Sequence, residues 1–486
     1  MKKYNRSLCS FQYTLKSLTL LSLFSLACLT VKGQDKVTLQ QAVENVIQNN
    51  LQIKQAQLNE SLSEQNLRES KLALLPTLNS NSNLNFNFGR SVDPFSYQFV
   101  NQQITSINGS VFSGLTLFQG GQKINQIAQN KYLLEADKSN TKKVRNDLVL
   151  SVVTTYLTVL NNRDLLSAAK QQLDISRQQL DREQKQFDVG NKTLADLSQA
   201  KSQVATAEFN VTDAQNQLDI SYLSLAQLME RDPAQEFEVV APLVDEVGQV
   251  NSAYSAAEVF TKAVQNYPDI KLAEYERLAA DKAVKVARGS LYPRLEFQGS
   301  LGSGYSSNRQ RVLQSVPTGV NNPIGFVEGT NQRVLTPGFN TVTEITPFRS
   351  QLNENFNQTI GFSLSIPIFN GLSSRIAVSR AKIRYQNAQI AEQLAKNNLN
   401  KVISQAVLDL KAAEKRYYSA QSAFESSQSA FRVIEQRYNV GLVNSLDFNQ
   451  SQTNLNQAQF KLIQAKYDLI FRSKVIDFYL GNPLTF

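Results

Sequence analysis

Hydrophobic and polar residues alternate along four short segments of the chain, at about residues 77–89, 107–118, 294–304 and 358–367. A period of two residues predicts β-strands with one apolar and one polar face. Each segment is about ten residues long, the length of a strand that crosses an outer-membrane bilayer. The same pattern also fits a soluble hairpin with one face packed on a core.

The first of these segments has a polar face made of amides. Leu78, Leu84 and Phe86 share one side of the predicted strand. The other side carries five asparagines: Asn79, Asn81, Asn83, Asn85 and Asn87. Amide side chains hydrogen-bond to water without carrying charge. In a membrane barrel, we expect these asparagines to face a water-filled lumen.

Long helical runs follow each pair of strands. The first begins at Gln122 and would span about 100 Å over roughly 65 residues, at 1.5 Å per residue. Apolar residues recur along both runs at heptad-like intervals, which predicts long helices packed as coiled coils. Gly190 and Gly441 lie in short breaks. Because glycine permits the left-handed backbone that closes a helix, we predict that each run reverses there into a second helix.

A shorter helix is predicted before each pair of strands. Two capping-box patterns mark the starts: Thr38 with Gln41, and Ser255 with Glu258. From these points we predict single helices that continue to about Leu75 and Leu291. Pro76 and Pro293 then end them, because proline lacks a backbone donor and disfavours helix in the residue before it.

The whole pattern occurs twice in the chain. QNNLQIK at residues 48–54 reappears as QNYPDIK at 265–271, and DVGNKTLADLSQA at 188–200 matches NVGLVNSLDFNQS at 439–451. The second pair is separated by 251 residues, as are Gly120 and Gly371, which mark the strand-to-helix junctions. A repeat of this length indicates two copies of one long unit.

These matches predict the domain organisation. We expect a first repeat at residues 34–232, a linker or equatorial region at 233–254, and a second repeat at 255–486. The connection between the two strands of the second repeat, residues 305–356, is longer than its counterpart and rich in polar residues and proline. We predict that it forms a long outward-facing loop, as is ordinary on a membrane barrel.

The first 33 residues have the composition of a secretory signal peptide. A basic start, MKKYNR, precedes an apolar run at residues 18–29 and the small residue Gly33. We expect cleavage after Gly33, with a lipoprotein cut before Cys28 as the alternative. Cleavage after Gly33 removes five basic residues and no acids, so the net charge falls from +9 to +4 and gives no reason to expect nucleic acid as a partner.

Composition excludes most enzyme chemistry. The chain has no histidine, and its two cysteines, Cys9 and Cys28, both lie in the predicted leader. Serine-histidine triads, cysteine-histidine pairs and histidine-ligated zinc are therefore excluded. We find no phosphate-binding or dinucleotide-binding motif. The sequence predicts a protein that is not an enzyme and has no cofactor and no metal site.

Four strands are too few to close a membrane barrel. An unpaired strand edge is not tolerated in lipid, so a barrel must close. The chain must then associate with copies of itself, and three copies would supply twelve strands. Counting alone does not distinguish three copies from two or four.

The repeated order of helix, proline, strand, loop, strand, glycine and helical hairpin resembles the TolC-like outer membrane factor family. The resemblance covers essentially the whole mature chain, and its most specific part is Val440, Gly441 and Leu442 followed by Asp447. It implies a mainly α-helical homotrimer with a twelve-stranded barrel in outer-membrane lipid, continued by a helical barrel in the periplasm. It also implies a passive exit duct for tripartite efflux or type I secretion, with a periplasmic adaptor and an inner-membrane transporter as partners.

The resemblance also implies roles for residues at the helical turns. The adaptor-docking turns would be Val189, Gly190, Val440, Gly441 and Leu442. The periplasmic gate would be Asp196, Asp447 and Gln450. Asn191 departs from the family pattern at the first docking turn. At the gate, this chain has Gln450 where the best-known member of the family has a second aspartate, and Val443 where that member has an arginine, which leaves fewer charges for a lock. Alternatively, the glycines serve the backbone alone and the two aspartates are helix N-caps.

Two further alternatives stay open at this stage. The long helices would also suit a soluble periplasmic coiled-coil adaptor or a structural protein. Within the channel interpretation, small molecules, proteins and metal ions are all candidate cargoes.

Overall fold

The computed structural model describes residues 35–92, 97, 99–101, 103–232, 234–241 and 254–482. The predicted signal peptide and most of the predicted linker lie outside these residues. Within them the chain forms two compact units. A helical unit contains residues 35–61, 135–274 and 390–482, and a sheet unit contains residues 62–134 and 275–389.

The elements of the described residues follow the predicted order. The helices are α1 (Leu39–Asn49), α2 (Leu51–Leu72), α3 (Gln122–Asp188), α4 (Leu194–Leu228), α5 (Ala256–Asn266), α6 (Pro268–Gly289), α7 (Phe348–Glu354), α8 (Ser373–Asn439) and α9 (Ser445–Leu480). The strands are β1 (Asp35–Val37), β2 (Thr77–Asn87), β3 (Arg90–Val92), β4 (Phe99–Asn101), β5 (Ile104–Gln119), β6 (Phe237–Val239), β7 (Arg294–Ser306), β8 (Gln310–Phe326), β9 (Arg333–Ile345) and β10 (Asn357–Ser365). In this part of the chain, none of the helices has both the length and the apolar character to cross a membrane.

The four alternating segments form one antiparallel sheet in the sheet unit. Its strand order is β10-β7-β5-β2. The central pair joins the two repeats, with Val111 opposite Leu301, while β2 and β10 form the two edges. The strands lie at the four predicted positions. A register shift between Thr116 and Phe118 is consistent with a bulge near the end of β5.

The long connection at residues 305–356 contains regular structure that its composition does not predict. Strands β8 and β9 form an antiparallel hairpin there, and α7 follows it. Pro317 and Pro323 hide the strand pattern in the sequence, because proline is usually excluded from strands. Both prolines lie beside register shifts, where the ladder of hydrogen bonds is already interrupted.

Gln351 holds the base of this hairpin. Its buried amide donates to the carbonyl oxygens of Ser306 and Thr346 at 2.9 and 2.8 Å, and its own oxygen accepts from the Ser306 amide at 2.9 Å. All these groups are removed from water, so losing the amide would leave several of them unsatisfied. This contact was not predictable from the sequence, because it joins Gln351 to Ser306 across a hairpin of about 40 residues.

The prediction of a single helix before each strand pair is also wrong, because both helices are interrupted. Asn50 separates α1 from α2, and its side chain accepts from the Gln52 amide at 2.9 Å and donates to the Leu228 carbonyl at 3.2 Å. Tyr267 separates α5 from α6 and is extended, as expected for a residue that precedes proline. The first capping box, Thr38 with Gln41, is confirmed.

The second capping box is wrong. Ser255 occupies the N-cap position of α5, but its side chain makes no capping hydrogen bond. Its extended backbone still allows the helix to begin, and Glu258 lies in the first turn, where a negative charge is favourable. The motif in the sequence therefore marks the start of the helix correctly but not its hydrogen bonds.

The larger hydrophobic core of the helical unit is shared by both repeats. Buried residues of α3, such as Val152 and Leu160, belong to the same cluster as Ile403 and Leu410 of α8. Strands β1 and β6 pair in parallel, and their residues Val37 and Val239 belong to the same core. The Tyr156 hydroxyl lies 3.1 Å from the Val37 carbonyl and 2.6 Å from the Val240 carbonyl. Burial raises the pKa of Tyr156 to about 12, so the phenol stays protonated.

Candidate functional site at the helical turns

Two turns reverse the long helices and have the same backbone geometry. We call α3 with α4 hairpin 1, and α8 with α9 hairpin 2. At the end of α3, the Asn191 amide donates to the Gln186 carbonyl at 2.9 Å and the Gly190 amide to the Phe187 carbonyl at 2.9 Å. Leu442 and Gly441 make the matching pair of bonds after α8. Both turns are therefore Schellman motifs, which require a left-handed residue after the helix.

The two turn glycines supply that conformation. Gly190 has φ +80° and Gly441 has φ +75°. A Cβ built on either glycine would meet no atom within 4 Å, so backbone conformation alone selects glycine within the chain. Five apolar side chains near the glycines are exposed: Val189, Val440 and Leu442, together with Leu194 and Leu446 at the starts of the following helices. Leu194 and Leu446 were not among the predicted docking residues.

The caps of the following helices are not the predicted aspartates. Thr193 caps α4, and its hydroxyl accepts from the Asp196 amide at 3.2 Å. Asn444 caps α9 and accepts from the Asp447 amide at 2.8 Å. The alternative that the aspartates are N-caps is therefore wrong, since each occupies the third helical position. There a carboxylate still meets the positive end of the helix dipole.

Asp196 connects the two hairpins. The Ser445 hydroxyl at the start of α9 donates to Asp196 at 2.7 Å, and Thr193 donates to Asp196 through its hydroxyl at 2.8 Å and its amide at 3.2 Å. These hydrogen bonds, with that from Ser445 the largest contribution, lower the pKa of Asp196 to about 2. The carboxylate is therefore ionised over the whole physiological range, as a fixed acceptor between the turns.

The other two predicted gate residues are placed differently. Asp447 is exposed, and so is Gln450, whose amide donates to Asn454 on the same helix at 3.0 Å. Within one chain the three predicted gate residues thus do not form one cluster. Asp196 lies in the contact between hairpins, while Asp447 and Gln450 lie at exposed positions of α9.

The predicted junction residues lie at the ends of elements. Pro76 directly precedes β2 and Pro293 directly precedes β7. Gly120 has φ +56° between β5 and α3, and a Cβ there would lie 2.6 Å from the Gly289 carbonyl oxygen. Gly371 has φ +63° just before α8. At position 120, only glycine fits without a shift of the backbone.

The five asparagines alternate along β2 as predicted. Their cross-strand partners on β5 are Phe112, Ser110, Asn108, Ser106 and Ile104, in the order from Asn79 to Asn87. Leu78, Leu84 and Phe86 on the opposite face are exposed within the single chain. One face of this strand therefore presents amides and the other presents unburied apolar side chains.

A model of the family described as outer membrane efflux protein matches residues 42–230 and 259–482. The chain belongs to this family. Its match covers both helical hairpins and all four strands of the antiparallel sheet. Membership favours the outer-membrane channel over a soluble adaptor and confirms the prediction that the chain is not an enzyme.

Individual relatives resemble this outer membrane efflux protein over most of its length. It is 20% identical over 459 residues to outer membrane efflux protein BepC of Brucella suis biovar 1 (strain 1330), covering 93% of this chain and 87% of that protein. A solved structure of CusC matches with a TM-score of 0.74 at 16% identity, covering 92% of both chains. The Campylobacter jejuni CmeC outer membrane channel matches with a TM-score of 0.73 at 17% identity, covering 91% of this chain and 85% of that one. These similarities confirm the mainly α-helical fold with its strands and long helices.

A buried charged cluster that was not predicted from the sequence lies close to the turns of this outer membrane efflux protein. Glu183 of α3 is 2% exposed. Its carboxylate accepts from the Gln179 amide at 2.7 Å and from the Tyr438 hydroxyl of α8, and it lies 3.7 Å from the Lys192 ammonium. The Tyr438 ring stacks on Phe448 with centroids 4.6 Å apart. Burial and the neighbouring carboxylate raise the pKa of Tyr438, which keeps its proton for this bond.

A signal for this cluster exists in the sequence. Gln172, Ser176, Gln179 and Glu183 are spaced by four, three and four residues, which is the spacing of a buried helix seam. All four are buried. Polar residues in a seam that is otherwise apolar indicate a polar partner on the facing helix, here supplied by Tyr438. This spacing of polar residues is not detected when only the apolar positions of the helix are considered.

Proposed function

We propose that three copies of this outer membrane efflux protein form the exit duct of a tripartite efflux or type I secretion system. In this proposal the four-stranded sheets of three copies close a twelve-stranded barrel, and the helical hairpins form a duct in the periplasm. Substrate crosses passively, supplied by a periplasmic adaptor and an inner-membrane transporter.

The observation that carries this proposal is the open four-stranded sheet in a chain of this family. Its edge strands β2 and β10 each have one neighbour within the described chain. Leu78 of β2 and Ile360, Phe362 and Leu364 of β10 are exposed. Pairing β2 of one copy with β10 of the next would satisfy both edges, as a lipid environment requires.

Fractionation and native mass measurement test this proposal. We expect the protein in outer-membrane fractions, extracted only by detergent, with the mass of three chains. Deleting the gene should sensitise cells to the pump's cargo, and the wild-type gene should restore resistance. Recovery from soluble periplasm without detergent, or a stable monomer in mild detergent, would contradict the proposal.

We also propose that the two turns receive the adaptor, through Val189, Gly190, Val440, Gly441 and Leu442. Support comes from the exposed apolar side chains of these turns. A cluster of exposed Val and Leu residues is typical of a surface that another protein covers. Gly441→Val would force a β-branched residue to φ near +75° and should impair docking and efflux. Gly441→Asn is the matched control, because asparagine tolerates this conformation. Normal efflux with Gly441→Val at normal expression would exclude the docking role.

Finally, we propose that the gate combines a fixed carboxylate with an exposed one. Asp196, held by Ser445, would tie the hairpins of one chain, while Asp447 and Gln450 of three copies would line the constriction. A ring of carboxylates at a constriction favours cations. Support comes from the contrast in exposure between Asp196 and Asp447, and conductance measurements on variants of each aspartate test it.

A further inference from the structure

A small polar cavity lies where hairpin 1 meets hairpin 2, close to the two turns. Its volume is 10 Å³. Three helices supply its walls, and eight of its nine lining residues are polar. They are Ser176, Gln179 and Glu183 of α3, Asp196, Ala200 and Gln203 of α4, and Ser445, Asn449 and Gln452 of α9. A cavity of this size holds about one water molecule and is too small for an organic ligand.

Two buried side chains in the cavity wall carry atoms whose capacity for hydrogen bonds is not used within the described part of the chain. Glu183 and Gln452 are only 2% and 1% exposed. The carboxylate oxygen Oε2 of Glu183 and the amide nitrogen Nε2 of Gln452 have no hydrogen-bond partner among the described residues. The Lys192 ammonium lies 3.7 Å from Glu183 Oε2, which is too long for a hydrogen bond. Because unsatisfied buried polar groups cost free energy, each of the two atoms indicates a ligand.

The chemistry of these two atoms selects the ligand. A carboxylate oxygen accepts hydrogen bonds, whereas an amide nitrogen donates them. A water molecule satisfies both, because it donates to Glu183 and accepts from Gln452. A metal cation fits less well, since it would meet the hydrogens of the Gln452 amide and since Lys192 already supplies positive charge beside Glu183. An anion would be repelled by the carboxylates of Glu183 and Asp196, which both line the cavity.

Ser176 provides a third polar group for the same ligand. Its hydroxyl accepts from the Gln172 amide at 3.2 Å, and Ser176 is buried in the wall of the cavity. Buried waters in proteins typically make about three hydrogen bonds. Glu183, Gln452 and Ser176 supply that number of polar groups from two facing helices.

We propose that this cavity binds one water molecule, which donates to Glu183 Oε2, accepts from Gln452 Nε2 and so links α3 of hairpin 1 to α9 of hairpin 2. The water completes the hydrogen bonds of the buried charged cluster, whose other carboxylate oxygen accepts from Gln179 and Tyr438. All of the lining residues belong to one chain. The site therefore does not depend on how many copies of the chain assemble.

The matching position in hairpin 2 has the opposite character. Ile434 lies 251 residues after Glu183. It packs against an apolar cluster formed by Phe431, Tyr438 and Phe448. Hairpin 2 thus uses apolar packing between its own helices, where hairpin 1 presents a carboxylate to α9. The bound water consequently belongs to the contact between the two hairpins and not to the packing within hairpin 2.

The direction of a stability change tests the site in the detergent-solubilised full-length protein. Gln452→Met keeps the length of the side chain but removes the amide. If the amide donates to a bound water, the variant loses that bond and its unfolding temperature should fall below that of the wild type. If no water is bound, the variant removes an unsatisfied buried donor, and an unfolding temperature that is unchanged or raised would overturn the proposal. Gln450→Met is the matched control and should cause no shift, because Gln450 is exposed on the same helix.

A double variant tests whether one ligand joins the two residues. Glu183→Met removes the acceptor and also the contacts of Glu183 with its other neighbours, which the single variant measures. Residues joined by a shared water are coupled, so the fall in unfolding temperature for Glu183→Met with Gln452→Met should be smaller than the sum of the two single falls. Additive falls would show that no ligand joins Glu183 to Gln452.

A crystal structure of the full-length protein that resolves ordered water would show the ligand directly. We expect one peak of electron density within hydrogen-bond distance of both Glu183 Oε2 and Gln452 Nε2. A direct hydrogen bond between these two atoms, with no density between them, would overturn the proposal. A peak surrounded only by oxygen atoms at metal–ligand distances would also overturn it, because the ligand would then be a cation.

Discussion

Hairpin 1 and hairpin 2 share their dimensions but differ in how their ends are built. Helices α3 and α8 both have 67 residues, and both end in Schellman turns 251 residues apart. Hairpin 1 fixes its aspartate, Asp196, in hydrogen bonds from Thr193 and Ser445. Hairpin 2 leaves Asp447 exposed. Duplication thus produced one carboxylate that joins helices and one that faces solvent.

The seams of the two hairpins differ as well. The buried residues of hairpin 1, Gln172, Ser176, Gln179 and Glu183, correspond to Ala423, Ser427, Ala430 and Ile434 in hairpin 2. The polar seam of hairpin 1 contacts hairpin 2 through Gln179, which donates to the hydroxyl of Tyr438, and the Tyr438 ring stacks on Phe448. Burying charge contributes little net stability, but removing one member of such a network is costly. The polar seam therefore fixes which surfaces of the hairpins meet.

The largest expected effect comes from Lys192→Ala in this network. It would leave Glu183 buried without its cation, so we expect a loss of about 2–3 kcal/mol in the free energy of unfolding. Urea denaturation of the purified protein measures it. Lys185→Ala is the control, because Lys185 and Asp181 form an exposed pair worth less than about 1 kcal/mol. Equal effects of the two variants would show that the cluster has no special role.

Exchanging the residues after the two turn glycines tests whether the docking surfaces are equivalent. Leu442→Asn should weaken adaptor binding about tenfold, because a buried leucine is worth about 1.5–3 kcal/mol. Asn191→Leu should strengthen binding, since it adds the missing apolar side chain to hairpin 1. Both variants keep the turn glycines, Gly190 and Gly441, and therefore the left-handed backbone of each turn. Affinity measured with the purified adaptor gives the result, and unchanged affinity in both would exclude these positions from the contact.

Ser445→Ala removes the hydrogen bond between the turns and should cost no more than about 1 kcal/mol at neutral pH. The pKa of Asp196 is depressed from 3.8 to about 2 in the folded state. Its stabilisation is therefore complete above about pH 4 and is lost as the pH falls towards 2. The difference between wild type and variant should shrink over this interval in unfolding experiments. A difference independent of pH would assign the effect to packing instead.

The smallest effect on stability is expected for Asp447→Asn. Asp447 is exposed, and its capping bond uses the backbone amide, which the substitution keeps. Conductance in planar bilayers should nevertheless lose cation preference if three such carboxylates line the constriction. Asp188→Asn, at the exposed end of α3, is a control of equal charge. The same selectivity change in both variants would remove Asp447 from the gate.

Much of this fold was predictable because its signals are local and repeated. The alternation at residues 77–89 and the helical runs after Gly120 and Gly371 each determine an element without reference to distant residues. Gly190 and Gly441 were predictable for the same reason, since a left-handed residue is required where a helix reverses. Because the pattern occurs twice in the sequence, each element is predicted independently in both repeats.

What the sequence did not predict depends on residues that are distant along the chain. Glu183 becomes part of a cluster only when Tyr438, 255 residues away, lies beside it. Ser445 reaches Asp196 over a similar distance. The hairpin of β8 and β9 was missed for a different reason, because Pro317 and Pro323 are tolerated only at its irregular positions. The local pattern marks the polar seam of α3 but does not identify its distant partners, and it does not show which positions of a hairpin can accept proline.

The parallel pair of β1 and β6 also affects the order in which the protein can fold. Val37 pairs with Val239, and both belong to a core that includes Ile476 near the end of the chain. Strand β1 can therefore pair only after about 200 further residues are available, and the core can be completed only when nearly the whole chain is available. If the chain is exported N-terminus first, as the signal peptide predicted at residues 1–33 implies, the core cannot form during most of its passage, and the apolar seams stay exposed for that time.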